Sequence, residues 1–139
     1  MAVYNSKIKI ESKGENDIID VTDDVQKVVS SSKLKEGLCN IFVVGSTATI
    51  STIEYEDGLK YDFSKALDKI APKNQEYKHH LKWGDDNGRS HVKATFMGAS
   101  LTLPFQNGKI IHGTWQQIVF IELDTRARNR ELIVQLVGE

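Results

Sequence analysis

A single cysteine leaves this chain without any intrachain disulfide, and the place of Cys39 in the apolar run LCNIFVV marks it as a small core side chain. Prolines are also scarce, numbering two, while 40% of the residues are hydrophobic and 27% charged; this excludes a disordered chain and predicts a self-sufficient core. No apolar run is long enough to span a bilayer. The opening MAVYNSKIKIES alternates instead of forming a secretory block, so a cytoplasmic protein without a membrane partner is expected. Charge of one sign is lacking too. With 18 Lys and Arg against 19 Asp and Glu, the net charge of -1 offers nucleic acid no general attraction. No Walker loop, dinucleotide-binding glycine fingerprint or nucleophile elbow occurs. At 139 residues, one domain over 1–139 is expected.

What is present reads mainly as strands. Tyr4, Ile8 and Ile10 fall on one parity and Lys7, Lys9 and Glu11 on the other, which predicts a half-buried strand. After a turn at Gly14 to Asp17 and a short strand from Ile18, Thr22 or Asp23 is placed to cap a helix with Val25, Val28 and Val29 on its apolar stripe, ending near Gly37. Leu38 to Val44 reads as a buried strand and Thr47 to Tyr55 as a second, ended by Asp57 and Gly58. Asp62 is placed to cap another helix through Phe63, Ala66, Leu67 and Ile70, closed by Pro72. A polar loop follows to Ser90, then strands at His91 to Met97 and around Leu101 to Phe105. Asn107 and Gly108 form a type I′ hairpin signal, since both central positions need positive φ. Strands at Lys109 to His112, Trp115 to Leu123 and Leu132 to Val137 complete an expected meander. The fold class is α+β and mainly β: antiparallel sheet in a sandwich or flattened barrel, with two flanking helices.

Chemistry gathers in the second half, where all four histidines, all four arginines and both tryptophans lie between His79 and Arg130. His79, His80, Asp85, Asp86 and His91 include the nitrogen and oxygen donors of a divalent metal site, with His79, Asp86 and His91 the favoured set and Mg or Zn the ion. The competing reading is a solvated surface loop. Glu122, between Ile121 and Leu123, must pair, bind metal or protonate. Arg126, Arg128 and Arg130 alternate and suit phosphate or carboxylate oxygens, or else form surface ion pairs. Gly45, Ser46 and Thr47 form a polar turn whose backbone N–H groups can receive an anion.

Tyr77-x-His79, WGDDNGRSHVKA, SLTLP, NG, GTWQQI, ELD, R-x-R-x-R and a final VGE, with LCNIFVVGSTATISTIEYEDG in the first half, together resemble the YjbQ family over nearly the whole chain. The resemblance implies two sheets, a homotrimer, and a polar pocket with His79, Asp86, His91 and Gln116. It also implies a secondary thiamine-phosphate synthase activity, in which a pyrimidine diphosphate and a thiazole phosphate join with loss of pyrophosphate. Many members carry histidine where this chain has Gly45 and Arg89, so two imidazoles that a metal could use are missing here.

The expected function is therefore a small trimeric enzyme acting on a phosphorylated metabolite. Its candidate catalytic groups are His79, His91 and Glu122; Ser46, Thr47, Lys93, Gln116 and Arg128 are the candidate phosphate ligands. A metal- or anion-binding trimer without catalysis is the alternative.

Overall fold

The computed structural model describes all 139 residues. Its elements in chain order are β1 (Ala2–Glu11), β2 (Ile18–Asp20), α1 (Thr22–Ser32), β3 (Glu36–Val43), β4 (Ala48–Ile53), α2 (Asp57–Ile70), α3 (Lys78–Trp83), α4 (Gly88–Met97), β5 (Ser100–Gln106), β6 (Lys109–Ile110), β7 (Gln117–Glu122) and β8 (Asn129–Gly138). A larger sheet has the order β1-β8-β3-β5-β6 and a smaller one β2-β7-β4, with every pair antiparallel.

The two sheets and two groups of helices make layers around two apolar clusters. Cys39, Ile41, Leu103, Phe105, Leu132, Val134 and Leu136 of the larger sheet meet Ile50, Ile118 and Phe120 of the smaller one, and Val25, Val28 and Val29 of α1 close that cluster. On the other side of the smaller sheet, Ile18, Val119, Ile121 and Leu123 pack against Leu67 of α2 and Ala94 of α4. This explains the apolar run Ile118–Ile121 of β7: Ile118 and Phe120 enter one core and Val119 and Ile121 the other, so both faces are apolar along that stretch. LCNIFVV behaves differently. Cys39, Ile41 and Val43 are sealed, whereas Leu38 and Phe42 stand 54% and 44% exposed on the uncovered face of the larger sheet.

The chain passes between the sheets at one end three times. Ser12–Asp17 joins β1 to β2, Val44–Thr47 joins β3 to β4, and Leu123–Arg128 joins β7 to β8. Register brings these connections together, since Glu11 lies opposite Asn129, Val43 opposite Leu132 and Ala48 opposite Glu122.

The expected mainly-β α+β class with two antiparallel sheets holds, with corrections to its parts. There are four helices rather than two. His91 to Met97 is helical: Arg89, Ser90, Lys93 and Ala94 are buried, while Val92 and Phe96 are 37% and 73% exposed. Asp57 and Gly58 begin α2 instead of ending a strand, and Glu56, not Asp62, caps it by accepting from the N–H groups of Gly58 at 2.8 Å and Leu59 at 2.7 Å. Neither Thr22 nor Asp23 caps α1; Asp20 accepts from Thr22 N–H at 3.0 Å, and the helix stops at Ser32 with Lys33 left-handed. β8 inserts between β1 and β3, so no meander forms.

Candidate functional site

The three crossings are held by a buried polar network. Arg130 donates to Glu122 from Nε to Oε1 at 2.9 Å and from Nη2 to Oε2 at 2.5 Å. Nη2 also reaches Thr47 Oγ1 at 2.7 Å, and Ser12 Oγ donates to Glu122 Oε1 at 2.6 Å. Thr47 Oγ1 donates to Asp124 Oδ2 at 3.0 Å, and Arg128 Nη2 lies 3.0 Å from the same oxygen. Ser12, Thr47 and Asp124 come from three different crossings, and charge-assisted bonds join them. Burial pushes the Asp124 carboxyl up. The Thr125 N–H and Thr47 hydroxyl bonds and the Arg128 guanidinium outweigh that, leaving the carboxyl below its ordinary range.

Glu122 was a candidate catalytic group, and its surroundings remove it from that role. It is fully buried, and Ser12, Arg130 and the Asp124 N–H occupy both its oxygens. The ion pair open to a carboxylate among arginines is the one realised.

Against this corner sit α3 and α4. The loop between them brings the Asn87 amide to 3.5 Å from Asp124 Oδ1 and to 3.2 Å from Asp85 Oδ1. The His79 and His91 rings lie 4.6 Å apart at their centroids, and His79 Nδ1 is 3.1 Å from Asp85 Oδ1. His80 contacts the Asp85 backbone carbonyl. Gly88 makes the pairing possible, because a Cβ there would lie 2.7 Å from Tyr77 Cβ and 3.4 Å from His79 Cβ. One helical turn later, His91 faces His79.

On its opposite side α4 is locked by charge. Arg89 makes a bidentate pair with Glu15, Nε to Oε2 at 2.8 Å and Nη2 to Oε1 at 2.9 Å. The hydrogen bond with Glu15 raises the guanidinium's hold on its proton against the opposing effect of burial. Lys93 is fully buried and bonds Asp68 Oδ1 at 2.9 Å, with Glu15 Oε2 at 3.7 Å. Lys93 is thus tied to α2 and the first crossing, and is withdrawn from the phosphate-binding role that a strand would have given it.

The remaining candidates separate. Gln116 sits beyond the end of the β4–β7 ladder opposite Glu122, its amide accepting from Gly113 N–H at 2.9 Å and donating to Thr52 at 3.2 Å. Within one chain it does not join Glu122 and Asp124. Ser46 is exposed, Thr47 is buried in the network, and Arg128 is partly exposed at the rim. The expected metal set does not form. Asp86 is drawn to Arg89 at 3.3 Å, Asp85 faces His79 instead, and no three His, Cys, Asp or Glu side chains are placed to hold an ion.

Sequence reasoning gave no role to Asp85 beyond the general donor set, and none to Asn87, Gly88 or the buried pairing of Arg89. The helical spacing of Arg89, Ser90, Lys93 and Ala94 was the available signal, hidden because most of that buried stripe is polar.

The fold and site define a class: a two-sheet protein whose sheet crossings are joined by a buried ion network, with a histidine pair on short helices beside it. The model of the UPF0047 protein YjbQ-like family matches residues 6–139, and the chain belongs to that family. A UPF0047 protein of Methanothermobacter thermautotrophicus is 35% identical over 139 residues, covering 100% of this chain and 95% of its own. One from Archaeoglobus fulgidus is 37% identical over 119 residues, 86% of this chain and 90% of its own. A crystal structure of a YbjQ-like protein of unknown function from Sulfolobus solfataricus superposes with a TM-score of 0.92 at 37% identity, covering 99% of both chains.

Proposed function

We propose that this chain is a small metabolic enzyme acting on a phosphorylated or diphosphate-bearing metabolite beside its sheet crossings, with His79 and His91 as the groups that meet the substrate. The observation that carries this reading is the pairing of two partly exposed imidazoles, 4.6 Å between centroids, one of them oriented by Asp85 at 3.1 Å. Imidazole both donates hydrogen bonds to phosphate oxygens and exchanges protons in the physiological range. Two such rings within reach of one group suit a leaving diphosphate, whose developing charge must be met by donors already in place.

The specific reaction is the family's secondary thiamine-phosphate synthase chemistry. The thiazole ring nitrogen attacks the methylene carbon of the pyrimidine diphosphate, the carbon–oxygen bond breaks, and its electron pair leaves with pyrophosphate. No covalent enzyme intermediate is required, so the chain's task is to position both substrates and stabilise the leaving group. Arg128, at the rim, suits a phosphate oxygen. Assembly as a homotrimer belongs to the same reading, because Trp83, Phe96 and Trp115 stand 66%, 73% and 71% exposed and offer apolar surface to neighbouring chains.

The test is to incubate the protein with both substrates and measure thiamine phosphate and pyrophosphate together. Turnover that falls at least tenfold in His79→Ala and His91→Ala supports the reading. A wild-type protein that binds the substrates without turnover overturns it in favour of an anion-binding role.

A further inference from the structure

The geometry points to a separate oxyanion site at the β3–β4 crossing, where the Gly45–Thr47 turn opens onto the buried guanidinium of Arg130. It is assigned without reference to the histidine pair and would stand if the proposed reaction failed.

Arg130 is more than nine-tenths buried, with 6% of its side chain exposed, and Glu122 and Thr47 occupy its Nε and Nη2. Its third nitrogen, Nη1, donates to nothing in the chain. The sealed polar atoms without partners are Asn16 Oδ1, Ser90 Oγ and Arg128 Nε, so Nη1 is not closed off from solvent. It points at Gly45: a Cβ on that residue would stand 2.7 Å from Nη1, so a side chain there would crowd the guanidinium or displace it. The φ of Gly45, +150°, independently favours glycine. The missing side chain is a window through which a buried cation's free donor is reached.

The turn supplies further donors. The backbone N–H groups of Gly45, Ser46 and Thr47 have no acceptor within the chain, although the flanking Val44 N–H binds Glu131 O at 3.2 Å and the Thr47 carbonyl accepts from Leu123 N–H at 3.0 Å. Gly45 and Ser46 are exposed, so the Ser46 hydroxyl is available as well. Successive free amides beside a guanidinium form the donor set that small oxyanions select. The local carboxylates do not compete for these donors, since Ser12 and Arg130 hold Glu122, and Thr47, Thr125 and Arg128 hold Asp124.

The two arginines and two carboxylates balance in charge, so recognition rests on directed hydrogen bonds rather than on a positive field. The expected ligand is accordingly one compact oxyanion, a phosphoryl group in particular, rather than a polyanion.

The experiment is an amide-resolved NMR titration of the wild-type chain with inorganic phosphate, matched by sodium chloride at equal ionic strength, with isothermal calorimetry on Gly45→Ala. Saturable shifts at Gly45, Ser46, Thr47 and the Arg130 side chain, absent with chloride, are expected, together with phosphate affinity at least tenfold weaker in Gly45→Ala. Should that variant fail to fold, the wild-type titration decides alone. Shifts confined to other residues, or a folded Gly45→Ala that binds phosphate as well as the wild type, overturn the assignment. Acetate in place of phosphate distinguishes a carboxylate site: tighter binding of acetate overturns the phosphoryl preference.

Discussion

Glu122 and Arg130 form a bidentate ion pair at 2.9 and 2.5 Å, with 0% and 6% of the two side chains exposed. Sealed this far from water, neither partner tolerates loss of the other. Glu122→Gln, or Arg130→Met, is expected to cost about 3–5 kcal/mol, because each leaves a charge buried without its partner. Replacing both with apolar residues of similar volume should recover much of that loss. Urea unfolding of the two single variants and the double variant checks it; additive losses in the double variant would contradict the pairing.

Asp124 fixes the acid limit of the same corner. Its carboxyl sits below the ordinary value near 3.8, so between the two values the unfolded chain binds a proton that the folded chain does not. The stabilisation is complete above the ordinary value and is lost as pH falls through the folded one. Asp124→Asn should cost about 1–3 kcal/mol at neutral pH and flatten the decline of stability below pH 4. Unfolding curves at pH 7 and pH 3 provide the comparison, and an unchanged acid slope would exclude Asp124 as a source.

The histidine pair should be separable from the fold. His79 is 31% exposed at its side chain, so His79→Ala is expected to change stability by no more than about 0.5 kcal/mol. Gly88→Ala should disturb the pair indirectly, since its Cβ meets Tyr77 at 2.7 Å. Ring proton signals of His79 and His91 in the NMR spectrum report it: both should move in Gly88→Ala, and stationary signals would rule out Gly88 as their support.

Cys39 is expected to be inert. Burial pushes its thiol up to about 12, leaving almost no thiolate at neutral pH. An aromatic disulfide reagent should react with it only after unfolding; rapid reaction of the native protein would show that this core position opens.

The sequence disclosed elements whose signal is local. Asn107 and Gly108 take φ of 54° and 72°, and Gln106 pairs with Lys109, as a two-residue type I′ hairpin requires. The alternation of Tyr4, Ile8 and Ile10 marked β1, and the valine stripe marked α1. α4 was misread because Val92, Ala94 and Phe96 alternate by accident. The side chains it buries are Arg89, Ser90, Lys93 and Ala94, and three of these four are invisible to hydrophobic periodicity. For the site, the histidines were legible as residue types, but their pairing depends on Gly88 and on Glu15, which lies 74 positions from Arg89. Glu122 was recognised as anomalous. Its ion-pair partner, Arg130, is 8 positions away, while Ser12, which also binds it, is 110 positions away.

The order of strands in the larger sheet bears on how the chain is made. β1 has one neighbour, β8, which also binds β3 on its other edge. On the ribosome, β1 therefore leaves the exit tunnel with no strand to receive it and stays unpaired until Asn129–Gly138 has been synthesised. During that interval it is an amphipathic strand with both edges open, suited to pairing with another nascent chain. Its solvent-facing parity carries Lys7 and Lys9, and these charges discourage that encounter while translation is unfinished.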